Sequence, residues 1–392
     1  MKTVQLFFYC LLLVVFASCA QKNTKKFITV KNSMDVPRSF ETIELTKQFL
    51  KVDRLNNIGI KDVNSDKLAI TQLVDLDDDG IMDQLLFQPE VAPNSETTYE
   101  IITISENEKP ETNNWCYSRF VPERTDDYTW ENDKVAFRVY GPTAQKMIEE
   151  NIPGGTLSSG VDAWLKKVSY PIINKWYKKT VVDKTGSYHE DTGEGLDNFH
   201  VGASRGVGGI AIKKDSSYYV SKNYTNWKTI TTGPIRTSFY LNYADWDADG
   251  TNIKDSKIIS LDYGSNLSKF EISLEGSNTI SAGLALHKKD GEVNGSKMHN
   301  WVSYWQPHAN SELGTAIVAP KKYFIDFETY NTEKTDLSNV FAHLKVIDNK
   351  VIYYAGFGWK ESGQFSAKDE WEKYLNQFSE KIEHPLIVSL KN

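Results

Sequence analysis

Only three cysteines occur in the 392 residues. Cys10 lies in an apolar leader and Cys19 ends it, which leaves Cys116 alone, so no internal disulfide staples the fold. A lone cysteine of this kind reads as a small buried hydrophobe. Long apolar runs are equally scarce. The longest run, Val4 to Ala17 with Gln5 its single polar residue, falls short of the roughly 20 residues that a membrane-spanning helix requires. Positive charge is not in excess either. Lys and Arg number 45 against 52 Asp and Glu, for a net charge of -7, which excludes the basic face that a nucleic-acid partner demands. Nucleotide and serine-hydrolase signatures are missing as well. "GVGG" at 206–209 runs into the strand pattern "IAIKK" and not into a helix, and no Gly-Lys-Ser/Thr follows. There is no Gly-x-Ser-x-Gly elbow, no His-x-x-x-His pair and no fixed-period repeat.

What is present begins with the leader. Lys2 precedes the apolar run, and "FASC" closes it with small residues before Cys19. This is the form of a bacterial lipoprotein signal, in which the chain is cut and the new N-terminal cysteine is lipidated. Residues 1–18 are thus read as the signal, Cys19 as the lipidation site and 19–26 as a tether. The basic "AQKNTKK" that follows Cys19 lacks an acidic export run, so the expected location is the outer membrane, facing the periplasm. The remaining residues are enough for one large core or two.

Their periodicity is that of strands. "KFITVKN", "KLAITQLV", "KVAFRVY", "GPIRTSFYLNY" and "SKFEISLEG" are short β-branched or aromatic runs bounded by turn residues. "VFAHLKVIDNKVIYYAGFGW" reads as a hairpin turning at "DNK". "SAKDEWEKYLNQFSEKI" reads as the one good helix, with Ser366 as cap and Trp371, Tyr374, Leu375 and Phe378 on one face. Many antiparallel strands with little helix predict an all-β fold, a large antiparallel sandwich or barrel with a C-terminal helix. "SENEKPETNN" is the linker candidate. It divides an N-terminal β unit over 27–104, expected to pack on the main body, from a main β-sandwich over 115–392.

"DLDDDGIMD" places Asp75, Asp77, Asp79 and Asp83 around Gly80. Carboxylates alternating on a curled loop converge on a hard cation such as Ca2+. The helix-loop-helix version is ruled out because Leu86 stands where its bidentate Glu belongs. Two readings remain open: a structural Ca2+ loop, or an acidic turn whose carboxylates accept backbone amides. No other cofactor is called for.

The densest chemistry lies in "HEDTGEGLDNFHVGASRGVGG". Seven of the 24 glycines fall between Gly186 and Gly209, beside Tyr188, His189, His200 and Arg205. Upstream, Trp164, Trp176 and Tyr177 supply aromatic faces and Lys175 a charge; His287 ends a strand pattern. Aromatic faces next to fixed polar groups suit a sugar ring, and an anionic sugar would also want Arg205 or Lys175. The competing reading is a long structural loop whose aromatics fill a satellite core.

The stretches "VKNSMDVPRSFETIEL", "DLDDDGIMDQLLFQ", "SSGVDAWLKKVSYPIINKWY", "YHEDTGEGLDNFHVGASRGVGG" and "YYAGFGWKESGQF", in this order, resemble a family of secreted bacterial proteins from polysaccharide-utilisation clusters, formerly of unknown function. The chain looks most like the members described as ulvan oligosaccharide dehydratases. The resemblance implies a sandwich of the kind seen in sugar lyases and mutarotases. It also implies an anionic oligosaccharide partner, and an activity that removes water from the non-reducing-end uronic acid to leave a 4,5-unsaturated sugar. Such an elimination takes the proton at C5, next to a carboxylate, and expels the C4 hydroxyl. It needs a counter-charge, a base and an acid. The sequence offers Arg205 for the carboxylate, His200 or His189 as base, Tyr188 or the other histidine as acid, and Lys175, Trp176, Tyr177, Trp164 and His287 to hold the sugar. Two alternatives stay open. One is a non-catalytic glycan-binding lipoprotein. The other is a glycoside hydrolase or epimerase, the hydrolase needing two flanking carboxylates.

Overall fold

The computed structural model describes residues 25–391; the leader and Cys19 lie outside the described residues. Period-two alternation builds most of the fold. In Asn252–Asp262 and Leu267–Glu275, an antiparallel pair, nearly every second side chain is buried. These strands belong to a nine-stranded sheet that runs from Tyr224–Thr231 at one edge to Glu292–Ser296 at the other. Two five-stranded antiparallel sheets share its core. The first holds Tyr117–Val121, Asp127–Glu131, Ala136–Val139, Asp162–Lys166 and the short Gly195–Leu196. The second sets Val207–Lys214, Thr279–Ala285 and Asn339–Lys345 between Ser217–Tyr219 and Phe324–Tyr330. Tyr128, Trp130, Phe137, Leu165, Ile210, Leu284, Phe270 and Phe357 meet in one continuous apolar core. The architecture is the expected all-β sandwich, and no described helix is long and apolar enough to cross a membrane.

Three expectations are corrected in detail. The turn at Asp348 and Asn349 forms, with both residues at positive φ and reciprocal bonds between Ile347 and Lys350. However, the flanking strands do not pair as a hairpin. Asn339–Lys345 enters the second five-stranded sheet and Lys350–Trp359 the centre of the nine-stranded one, so the turn carries the chain across the core. The C-terminal helix is Lys368–Glu383, and its cap position is Ala367, without a side-chain bond. Ser366 instead donates its N–H to Glu370. Trp371 and Leu375 of this helix pack on Trp301, Trp305, Ala316 and Val318 of the nine-stranded sheet.

The third correction concerns the end of the chain, which the sequence assigns to the main body over 115–392. Ile28, Val30, Leu45, Leu85 and Phe87 form a separate N-terminal core from a four-stranded and a three-stranded sheet. The last strand, Ile387–Lys391, pairs with the first, Lys26–Lys31. The N-terminal unit is therefore completed by Ile387–Lys391, so the first and last described strands share one sheet.

Candidate active site

The site grows from one face of the first five-stranded sheet. Alternation sends Tyr128, Trp130, Phe137, Val139, Ala163 and Leu165 into the main core. The intervening positions, Asp127, Arg138 and Asp162, therefore point out of the other face. Pairing places them together, because Arg138 lies opposite Asp162 on one side and Thr129 on the other. Charges on a sheet face would normally meet water, but here the helix Ile173–Tyr177 and the following loop cover them. Glu131 anchors that helix. Its carboxylate takes the Lys166 ammonium at 2.8 Å and the N–H groups of Ile172 and Ile173 at 2.9 Å.

The aromatics expected to stack on a sugar are the cover itself. Trp164, Trp176, Tyr177 and Tyr188 are buried in one cluster with Ile172 and Ile173. The rings sit 5.0–5.5 Å apart around Trp164. Tyr177 donates to Asp127 at 3.0 Å, and Tyr188 receives Arg124 at 3.3 Å. No ring face is free for a ligand, since each aromatic gains more by packing than the loop could recover by exposing it. Lys175 is exposed but bound to Glu194 at 2.6 Å, together with Tyr170 and Trp176. It stands apart from the cleft that His189 lines.

Arg205 is corrected too. It is 2% exposed, and its guanidinium donates to Ser159 Oγ, the Ile210 carbonyl and the Ala203 carbonyl at 2.9–3.3 Å. Burial without a facing carboxylate pulls it down to about 10. It braces the glycine-rich loop from beneath and cannot meet a substrate. Gly206 permits this passage: at φ 59° its missing Cβ would overlap the Val161 carbonyl.

The cation near the surface is Arg138. Its guanidinium binds Asp162 through Nε at 2.9 Å and Nη2 at 2.5 Å, and Asp197 at 3.0 Å; Asp127 lies 3.6 Å away. It also lies over the rings of Tyr140, Trp164 and Tyr188. Burial disfavours its charge, but Asp197 and Asp162 more than compensate and hold it protonated. Three carboxylates in so dry a place cannot all ionise easily. Burial pushes Asp127 up to about 6. Burial, reinforced by the Asp197 charge, raises Asp162, and burial raises Asp197. Burial and mutual repulsion thus make these carboxyls hold protons more readily than exposed ones would.

Above it opens a cleft of about 480 Å³, walled by the loop over 155–157 and by the stretch from Asp197 to Gly202, with Arg138, Tyr140 and His189 in its lining. His189 is 61% exposed, and its Nδ1 lies 2.5 Å from the Asp197 carbonyl. Donating there fixes the tautomer and leaves Nε2 as the basic nitrogen. Burial and the Asp162 charge keep Tyr140 a neutral phenol. His200 is exposed and bound to Asp336 at 3.0 Å. It divides this cleft from a smaller pocket of about 190 Å³ that His287 and Lys289 line. His287 holds the backbone of His200 at 2.6 Å, and His308 holds the Asn198 side chain at 2.9 Å. Burial lowers His308 to about 4, so it is neutral and structural.

Of the expected residues, His189 and His200 come together at one cleft, with His287 behind them. Tyr188, Arg205, Lys175, Trp176, Tyr177 and Trp164 do not reach it. Arg138, Tyr140, Asp127 and Asp162 are not among the expected site residues, and Asp197 counts there only as one ionisable group of the glycine-rich loop. For Arg138 and Asp162 the signal is a charge between the core-facing positions of an apolar strand, in "VAFRVY" and "GVDAWL".

Elsewhere, Asp75, Asp77 and Asp83 each bring a carboxylate oxygen within 4.8 Å of the others. Asp79 turns away to the Ile81 N–H at 2.7 Å. Asp75 accepts Asp78 at 2.6 Å and Gly80 at 2.8 Å, and Asp83 accepts Leu76 at 2.9 Å. Backbone amides therefore already serve the loop, as in the turn reading.

A family model described as "Domain of unknown function (DUF4861)" matches residues 30–388. "Uncharacterized protein P7" of Formosa agariphila is 54% identical over the full length of both chains. Among solved structures, a protein in the Glycosyl Hydrolase Family 38 from Enterococcus faecalis is similar with a TM-score of 0.52 at 9% identity. The match covers 94% of this chain, which spans 47% of that one. At such identity the likeness concerns the fold alone.

Proposed function

The chain belongs to the DUF4861 family, and from its own cleft we propose that it is a carbohydrate-active carbon–oxygen lyase, dehydrating the uronic acid at the non-reducing end of an anionic, ulvan-type oligosaccharide. The observation that carries this reading is the convergence of the His189 imidazole, the Tyr140 phenol and the Arg138 guanidinium on one cleft. The likeness of fold to a glycosyl hydrolase family protein supports a sugar substrate. In the reaction, His189 Nε2 takes the C5 proton. The C5–H electron pair becomes the C4=C5 double bond, and the C4–O pair leaves with the hydroxyl, which gains a proton from Tyr140 to depart as water. Arg138, kept charged by its carboxylates, offsets the negative charge that builds on the substrate carboxylate. It takes the part expected of Arg205. Afterwards, proton exchange with solvent at the open cleft returns His189 to its basic form and Tyr140 to its phenol.

Hydrolysis is less well served. It needs a carboxyl group on each side of the bond, and Asp197 is the one acid among the residues lining the larger cleft. Lipidation at Cys19 would hold the enzyme at the outer membrane, facing imported oligosaccharides. The deciding experiment is incubation with uronic-acid-terminated ulvan oligosaccharides followed by mass spectrometry. Loss of one water with new ultraviolet absorbance is the expected result. A cleaved bond without unsaturation would make the protein a hydrolase, and an unchanged substrate would make it a binding protein.

A further inference from the structure

A groove of about 600 Å³ lies away from the His189 cleft. It forms where three separated parts of the chain meet: the strap over 39–49, the nine-stranded sheet at 236, 260–269 and 354, and the C-terminal helix with its exit. It shares no lining residue with the cleft. We infer that this groove is a second carbohydrate site, one that holds a neutral pyranose against Phe40, and it goes beyond the reaction proposed for the cleft.

Phe40 is the first reason. It is 52% exposed at the mouth of the groove and sits at φ 58°, a left-handed conformation that a bulky side chain rarely adopts. Its ring rests on Gly264, where a Cβ would fall 2.6 Å from it, and tilts against Tyr263 at 5.7 Å. The left-handed backbone thus carries a ring that packs on Gly264 and Tyr263 and leaves about half of the residue open to solvent. Strain kept at an exposed position points to a task there. Behind it, Tyr354, Tyr374 and Phe378 continue the aromatic wall.

Charge is the second reason. Arg236, Lys269 and Lys381 line the groove against Glu41, Glu44 and Asp262. Arg236 is held by Asp262 at 2.6 and 2.8 Å and by Glu44 at 2.5 Å, and Lys381 lies 3.7 Å from Glu41. Three positive and three negative side chains balance, so an ionic ligand would meet a like charge wherever it met an opposite one. A wholly apolar ligand would pack on Ile43, Leu45 and Ile382 but offer the charged side chains around them no hydrogen bond. A neutral sugar avoids both penalties. Its C–H face packs on Phe40 while its hydroxyls donate to the half-exposed Glu44 carboxylate and accept from the Lys381 ammonium.

The test is calorimetric titration of the full mature chain with linear neutral tetrasaccharides of β-1,4-glucan, β-1,3-glucan, α-1,4-glucan and β-1,4-mannan, with decanoate as an apolar comparator. At least one sugar should bind saturably. Phe40→Ala should weaken it about tenfold with only a modest change in Tm, because the residue is half exposed. Glu44→Gln should weaken it as well, and His189→Ala should leave it intact. No saturable sugar binding, affinity unchanged in both groove variants, or displacement of the sugar by decanoate would each overturn the proposal. Binding without turnover on uronates would sink the lyase reading and spare the groove, and the reverse result would do the opposite.

Discussion

Arg138 and Arg205 are both arginines, both almost fully buried, and both tied to the glycine-rich loop. Arg205 faces only hydroxyl and carbonyl oxygens, and burial depresses it to about 10. Arg138 faces three carboxylates, and two of these overcome the burial cost and keep it charged. One is a brace inside the fold and the other the floor of a cleft. Burial is common to both and so decides nothing. What separates them is the company of acids and an opening above.

The strongest way to break this contrast is to substitute both residues alike. Arg138→Met leaves Asp127, Asp162 and Asp197 without their cation. Removing one partner of a buried ionic set typically costs about 3–5 kcal/mol, and losing an electrostatic stabiliser costs roughly 10²- to 10³-fold in rate. Arg205→Met replaces a buried charge that has no acid partner, so chemical denaturation should show a much smaller loss and turnover should persist. If Arg205→Met were dead and Arg138→Met active, the two roles would be exchanged.

The next largest effect tests the base. His189→Ala should lower turnover on a uronic-acid-terminated oligosaccharide by at least about 10²-fold and leave the Tm near the parent value, because the ring is mostly exposed. His200→Ala, in contrast, removes a ring bound to Asp336 at the edge of the cleft. It should raise KM more than it lowers kcat, and equal losses from the two histidines would blur the assignment.

The acids around Arg138 sharpen the comparison through pH. Asp127 rises from 3.8 to about 6 on folding, with burial as the cause. Its contribution is fully present below about pH 4 and is lost as pH rises through 6. The change is on the order of 3 kcal/mol by linkage. Asp127→Asn should flatten that part of the stability profile measured by denaturation between pH 4 and 8. His308 runs the other way. Burial lowers it from 6.5 to about 4, so its contribution is present above pH 6.5 and lost as pH falls through 4. His308→Gln should therefore soften the acid limb, and steeper acid loss in that variant would contradict its neutral, structural role.

Several of these features were readable along the chain. The strand periods gave the all-β sandwich, and Trp371, Leu375 and their neighbours gave the helix. The histidines of the glycine-rich loop proved to line a cleft. The aromatics beside them misled because "WLKKVSYPIINKWYKK" carries both the rings of a sugar platform and those of a small core. Only the lid formed by Ile173–Tyr177 distinguishes the two. The turn at Asp348 and Asn349 was likewise local and correct, while the sheets its two strands join were not local at all.

By itself, then, the sequence determined what depends on near neighbours: strand alternation, the turns, the amphipathic helix and a loop with enough glycine to pass close to other backbone. Tertiary structure decided which charges meet. Asp127, Arg138, Asp162 and Asp197 come from four strands or strand ends. They touch only because pairing puts Arg138 opposite Asp162, and because a distant segment covers that sheet face and excludes water. Alternation tells a strand that it has two faces. Which face is solvated, which is dry, and hence which arginine is a site, depends on what packs against it from elsewhere in the chain.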